Sequence, residues 1–244
     1  MKTILKNSIK EILGYAYFNL YKKYMNNFGN KTLIYHAFGL KLKHDTYGIS
    51  IDINRFKSHM IYIKNNYMTH ALDKPLSRYS NSVSITIDDG YKDTLDAVDI
   101  LQNLKIPFTL FLTSDFINKD TYLSSNDIKD ISLLEYSNIG SHGKTHLKLG
   151  LLDTQQQRSE LTESQNYIES IINSKVKLIS FPHGSYNETT LSLLNELGYN
   201  LAATSKKGFN TDITDKYSLY RSEIISSDST NQLKKKIEGF YDFY

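Results

Sequence analysis

Two adjacent carboxylates, Asp88 and Asp89, end the run Thr86-Ile87-Asp88-Asp89-Gly90-Tyr91, where one can bind a metal while its neighbour handles protons. Alternating Val83, Ile85 and Ile87 predict a strand, and Gly90 predicts the turn that stops it. Asp-Asp-Gly is also ordinary turn chemistry, so the pair alone decides nothing. Further on, Gly140-Ser141-His142-Gly143-Lys144-Thr145-His146 sets two histidines four apart, a spacing that lets both imidazoles reach one ion from a helical turn or tight loop. With one aspartate they would form an open three-ligand set of the hydrolytic zinc type. Two surface histidines beside a glycine turn is the competing account. A third string, Leu178-Ile179-Ser180-Phe181-Pro182-His183-Gly184-Ser185-Tyr186, runs from an apolar strand into a Pro-x-Gly turn whose His183 backbone N–H could face an oxyanion.

Taken in order, these strings resemble the polysaccharide deacetylases of carbohydrate esterase family 4, the NodB homology domain. The family's Thr-Phe-Asp-Asp-Gly is matched at 86 to 90 with Ile87 for Phe, and its His-Ser/Thr-x-x-His at 142 to 146 with Gly143 for the hydroxyl residue. Its Arg-x-Pro-x-Gly appears as Ser180-Phe181-Pro182-His183-Gly184, without the arginine that braces the catalytic aspartate, and is similar to the Tyr-Pro-Tyr-Gly version. The late Leu-x-His that supplies a general acid is missing from Asn231 to Tyr244. Near the other end, Thr32-Leu33-Ile34-Tyr35-His36-Ala37 is an apolar strand ending in histidine, which resembles the circularly permuted branch containing the poly-N-acetylglucosamine deacetylases. Closing a barrel makes its first and last strands neighbours, so such a shift would preserve the site. A strand-end core histidine is the alternative for His36.

The resemblance implies a metal-dependent hydrolase that removes N-acetyl groups from an amino sugar in a glycan or glycan precursor. In that scheme Asp89, His142 and His146 hold a divalent ion, zinc or alternatively cobalt or nickel. Asp88 is the base, the His183 N–H an oxyanion donor and His36 the acid. Tyr91, Pro182, Tyr186 and Arg221 are the candidate substrate-side residues. The two tyrosines could stack on a sugar, and Arg221 is either the missing brace or a surface or strand-end arginine. An O-acetyl esterase, a non-sugar amidohydrolase and a glycan-binding protein with an inactive site are the rival functions.

Those groups have to be positioned by a sizeable core, which 244 residues at 40% hydrophobic content can supply. Strand-like runs at 33–36, 83–87, 108–112, 178–181, 201–204 and 219–224 alternate with helical patterns at 53–65, 92–104, 127–136, 154–173 and 188–197. This order predicts an α/β fold, a distorted (β/α) barrel with Asp88, Asp89, His36 and Pro182 at the carboxyl ends of strands. The deacetylase domain is expected over 28–244, with an amphipathic helical segment over 1–27.

In that segment Ile4, Leu5, Ile9, Ile12, Leu13, Tyr17 and Leu20 recur at near-helical spacing among five lysines, which suits docking on the barrel or lying on an anionic membrane. It has neither an unbroken apolar run nor a small-x-small cleavage site, so a cytoplasmic or peripheral-membrane location is expected, with an extracellular one left open. A net charge of +3 without a basic, aromatic-interleaved run argues against nucleic acid, and the absence of cysteine excludes disulfides and thiolate-bound metal. A monomer is expected.

Overall fold

The protein is described by a computed structural model covering residues 2–22, 29–76 and 81–243. After helix α1 (Lys2–Tyr17) and a π turn over Phe18–Lys22, the described elements are β1 (Gly29–Tyr35), α2 (Ile53–Asn66), β2 (Met68–Thr69), β3 (Asn81–Ile87) and α3 (Thr94–Asn103). They continue with β4 (Phe108–Leu112), α4 (Ser125–Ser132), β5 (Ser137–Ser141), α5 (Thr154–Ile172), β6 (Leu178–Ser180) and α6 (Glu188–Glu196). Last come β7 (Leu201–Ala203), β8 (Arg221–Glu223) and α7 (Thr230–Ile237). Met1 and residues 23–27 of the expected amino-terminal segment lie outside the described residues.

The strands pair in parallel in the order β7-β6-β5-β4-β3-β1-β8, with β2 added beside β3. Leu219, two residues before β8, bridges back to Ala203 of β7: Thr204 N–H donates to Leu219 O and Leu219 N–H to Ala202 O. The sheet is thereby nearly closed into a distorted (β/α) barrel, the fold class expected. Its outward residues, among them Leu33, Tyr35, Val83, Ile85, Ile87, Leu110 and Ile179, form one continuous core with the helices. Burying such side chains is worth roughly 1.5–3 kcal/mol each before entropy is counted.

The inside of the barrel is of a different character. Asn30, Thr32, Ser82, Ser84 and Thr86 are buried there. Asn30 donates to Ser82 (3.1 Å) and Ser84 (2.9 Å), Thr32 donates to Asn30 (2.8 Å), and Asn210 donates to Thr32 (3.2 Å). Partners make this burial tolerable, because an unpaired buried polar group costs free energy.

Element limits differ from the expected ones where this polarity hides the pattern. β1 begins four residues earlier than expected, since Asn30 and Lys31 are buried; the Lys31 ammonium donates to Asp242 (2.6 Å) and to Gly208 O (3.1 Å). β5 leads directly into His142, yet only Ile139 is a large apolar residue in it. Helix α4 stops at Ser132, short of the expected Tyr136, because the Leu133 and Leu134 N–H groups close tight turns onto Asp130 O and Ile131 O and the Ser137 hydroxyl donates to Ile131 O. Helix α7 was not expected at all, having only Leu233 and Ile237 as buried apolar anchors.

His59 of α2 is fully buried between Tyr35 and Asp228. Its neutral ring satisfies both neighbours, accepting from the Tyr35 hydroxyl (3.3 Å) and donating to Asp228 O (3.1 Å). Burial pushes its pKa down to about 4, outweighing the nearby Asp228. Between pH 6.5 and 4 the unfolded chain therefore binds a proton the folded one refuses, and stability should fall as pH falls through that window. Denaturant midpoints measured across it should flatten in His59→Gln; an unchanged slope would remove His59 as the cause.

Candidate active site

At the carboxyl ends of β1, β3, β5 and β6 a cleft of about 630 Å³ opens, lined by His36, Asp88, Asp89, His142, His146 and His183 among others. Parallel strands deliver the six from four separate parts of the chain. Three of them, Asp89 (φ 73°), His146 (φ 64°) and His183 (φ 56°), adopt the left-handed conformation that residues other than glycine seldom take. Such strain, of order 1–3 kcal/mol per residue, persists only where surrounding structure enforces it.

Among the described residues, Asp89, His142 and His146 form the one cluster of three metal-ligating side chains, with ligand atoms all within 4.8 Å of one another. Asp89 Oδ1 is 3.5 Å from His142 Nε2 and 3.3 Å from His146 Nε2, and it is buried with no hydrogen-bond partner. His142 Nδ1 lies 2.8 Å from Ser180 O, so its proton belongs there and the Nε2 lone pair faces the cluster. An orphaned carboxylate oxygen between two imidazole nitrogens fits a bound divalent cation.

Charge is distributed to match. Burial pushes the His142 pKa down to about 4 against the pull of Asp88 and Asp89, which leaves a neutral ring. Burial also lowers His146, but the adjacent Asp89 carboxylate raises it overall. For Asp89 burial opposes ionisation, and His146 with the other surrounding histidines holds its pKa well below the carboxylate range.

The turn carrying the histidines is held from beneath by Glu160 of α5, a residue the sequence did not single out. Its carboxylate accepts from Lys144 N and Thr145 N (2.9 Å each) and from the Thr145 hydroxyl (2.5 Å). The buried face of α5 holds Gln157 and Ser164 as well as Leu161 and Ile168, so no apolar stripe marked Glu160 in the sequence. Gly143 sits at φ +73°, with Glu160 and Pro182 both 3.3 Å from where a Cβ would lie. Glycine in place of the expected hydroxyl residue therefore answers backbone geometry.

Asp88 is 3.8 Å from His142 Nε2 but is held from the other side. Arg221 of β8 is completely buried inside the barrel and donates to both Asp88 oxygens at 2.8 Å. Ser180 donates to Asp88 Oδ2 at 3.0 Å. The guanidinium is itself placed by Thr204 O (2.8 Å), Thr86 Oγ1 (3.0 Å) and the face of Phe111. Burial works against the Asp88 charge, and Arg221 followed by His142 overcomes it, keeping the pKa below the usual range. Arg221 thus stands where the missing third-string arginine would act, as a brace behind Asp88 and not as a substrate contact.

The remaining candidates divide. His36 lines the cleft, with Nε2 3.9 Å from Glu223 and Nδ1 buried without a hydrogen-bond partner. Tyr91 lines it too, stacked on Tyr122 with ring centroids 5.0 Å apart, and its hydroxyl lies 2.9 Å from His44 Nε2. His44 is therefore a cleft residue too. Pro182 and Tyr186 are not: Pro182 is buried beneath Gly143, and Tyr186 stacks on Phe181 while Lys206 donates to its hydroxyl. Phe116, Tyr122, Tyr47 and Glu223 complete the walls and came from loops and short strands without a readable pattern.

Residues 77–202 match the polysaccharide deacetylase family model. The chain belongs to the polysaccharide deacetylase family. It is 29% identical over 193 residues to YxkH of Bacillus subtilis (strain 168), which carries the polysaccharide deacetylase name, covering 75% of this chain and 69% of that one. It is 21% identical over 239 residues to the poly-beta-1,6-N-acetyl-D-glucosamine N-deacetylase of Staphylococcus aureus (strain MSSA476), covering 88% and 80%. In fold it is similar to the Streptococcus pyogenes deacetylase PplD in complex with acetate, with a TM-score of 0.75 at 20% identity over 87% of this chain and 99% of that one. A polysaccharide deacetylase is a hydrolase acting on carbon–nitrogen bonds.

If the Arg221–Asp88 pair organises the deacetylase site, Arg221→Met should strand a buried carboxylate and lower unfolding free energy by about 3–5 kcal/mol. The double variant R221M/D88N should recover part of that loss. Denaturant titration of the three variants checks both; a cost under about 1 kcal/mol for R221M would mean the barrel interior tolerates the lone carboxylate.

Proposed function

We propose that this polysaccharide deacetylase hydrolyses the N-acetyl groups of an amino sugar in a glycan or glycan precursor, releasing acetate, and that it requires a divalent metal, with zinc the first candidate. The observation that carries the reading is the pairing of an Arg-braced Asp88 with the convergent Asp89, His142 and His146 at the floor of one cleft. The inactive-site alternative drew on an absent brace, and Arg221 occupies that place.

Asp89, His142 and His146 would hold the ion, which supplies Lewis acidity for the acetyl carbonyl and lowers the pKa of water. Asp88 Oδ2 accepts from both Arg221 and Ser180 but Oδ1 accepts from Arg221 alone, so Oδ1 keeps a lone pair with which the carboxylate can take a proton from the attacking water. The His183 N–H is the proposed donor to the developing oxyanion. His36 gives a proton to the departing amine, with Glu223 beside its ring. The wall of Phe116, Tyr122 and Tyr91 offers flat apolar surface to the carbon-bound face of a sugar ring. Placing the acid on β1 corresponds to the permuted branch of the family.

Acetate release from N-acetylglucosamine oligomers should follow metal content, and the double variant H142A/H146A should lose both. Metal retained at full stoichiometry in that variant would sink the ligand set. Asp88→Asn should keep metal but lose about 100- to 10,000-fold in turnover, and a rate near wild type would reduce Asp88 to a turn residue.

A separate measurement addresses His36. His36→Ala should slow amide cleavage by about 100-fold or more, with a smaller loss on an activated aryl ester whose leaving group needs no proton. Equal slowing of both substrates would remove His36 as the acid.

A further inference from the structure

Helix α1 is docked along one side only. Glu11 receives hydrogen bonds from Lys235 and from the Tyr241 hydroxyl, at 2.5 Å each. Gly14 lies so close to the Phe240 ring that a Cβ there would have no room, and Tyr15 and Phe18 pack on the same ring at centroid distances of 5.9 and 5.8 Å. The opposite side is apolar and uncovered: Ile9 is 49% exposed, Ile12 68%, Leu13 50% and Leu20 70%. At about 100° per residue Ile9, Ile12 and Leu13 fall on one side of α1 with Ala16 among them, and Leu20 follows in the π turn.

Charge shows what the stripe suits. Residues 1–27 contain five lysines and one glutamate, a net of +4, whereas the whole chain is net +3. The rest of the chain is accordingly net −1, so the excess of positive charge is concentrated in the segment that bears the exposed stripe. Apolar side chains beside lysines are the composition of a helix that lies in the headgroup boundary of an anionic bilayer. No helix among the described residues is long and apolar enough to cross one.

We propose that α1 docks on an anionic membrane surface through Ile9, Ile12, Leu13 and Leu20, and that it holds the barrel with its cleft turned away from the lipid. The orientation follows from how the docked face is tied to the barrel. Phe240 and Tyr241 belong to the tail after α7, and Asp242 of that tail pairs with Lys31 near the start of β1. His36 follows the other end of the same strand and lines the cleft, about 16 Å further along at ~3.3 Å per residue. A glycan reaching the cleft would then be presented from the side opposite the bilayer. The proposal stands on α1 alone and does not depend on the chemistry assigned to the cleft.

The test uses the full chain with vesicles of phosphatidylglycerol and of phosphatidylcholine. Wild type should sediment with the anionic vesicles, less so at high salt, and not with the neutral ones. I12S/L13S alters two exposed side chains without changing charge, so it should melt like wild type yet bind roughly tenfold or more weakly. Because the chain has no cysteine, an environment-sensitive fluorophore can be placed singly at L13C or Y47C. On vesicles the Leu13 probe should shift to an apolar signal and the Tyr47 probe, at the cleft rim, should not. Absence of wild-type binding, binding unaffected by I12S/L13S, or a lipid signal at position 47 would each overturn the proposal. So would concentration-dependent self-association that I12S/L13S abolishes without any vesicle binding, which would assign the stripe to a second copy of the chain.

Discussion

The site depends on one buried ion pair. The Asp88 carboxylate at the end of β3 is buried, and without compensation it would take up a proton and lose its charge. Arg221 prevents this through two parallel hydrogen bonds, a geometry that only a guanidinium provides and that a lysine ammonium could not reproduce. Burying the guanidinium makes its own demand, since each remaining N–H needs an acceptor in the barrel interior. Thr204 O just past β7, Thr86 of β3 and Ser180 of β6 supply them, so four strands are drawn to a common register around one cation. The polar interior of the barrel is then the setting that makes a charged residue at its centre affordable.

The side of the cleft that carries Asp89, His142 and His146 works on the opposite principle. There most of the supporting hydrogen bonds go to the backbone, and Asp89 Oδ1 is left without a partner. Glu160 fixes the 143–146 turn through three donors, Ser180 O engages the far nitrogen of His142, and Asp89 Oδ1 receives nothing. Left-handed backbone at Asp89 and His146 turns both side chains inward where an ordinary turn would send them to solvent. A folded chain that keeps strained residues and an unsatisfied oxygen together has placed instability where a cation can relieve it.

Legibility in the sequence followed the same division. Outward strand residues read well because they pack on helices and so alternate or run apolar: Val83, Ile85 and Ile87 identify β3, and the barrel class follows from the order of such runs. Inward residues did not, because Asn30 and Thr32 pair with one another and with Asn210, while the outward Lys31 between them is a charge paired with Asp242, so no apolar period of two survives there. Within the site, short-range spacing exposed Asp88, Asp89, His142 and His146, while His36 was reachable only through family resemblance. The brace could not be located by spacing at all. Arg221 lies 133 residues from Asp88, and its neighbours Tyr220 and Ser222 give no sign that it turns inward. Tyr186 and Pro182 show the reverse error, since adjacency to a motif in the chain does not bring a side chain into the cleft.

These facts bear on why the acid candidate can sit so early in the chain. β1 lies between β3 and β8, flanked by the strand that bears both aspartates and the strand that bears the brace. In register, Ile34 is level with Thr86 on one side and Glu223 on the other, so the residue after Tyr35 emerges at the same height as Asp88 and beside Glu223. Height is what a proton donor needs in order to face a leaving group across the cleft from the base, and parallel register supplies it whichever strand is synthesised first. Connection order is therefore weakly constrained by the chemistry. What is constrained is the adjacency of β3, β1 and β8, because shifting β1 by one residue would turn His36 away from the cleft and bring Tyr35 out of the core.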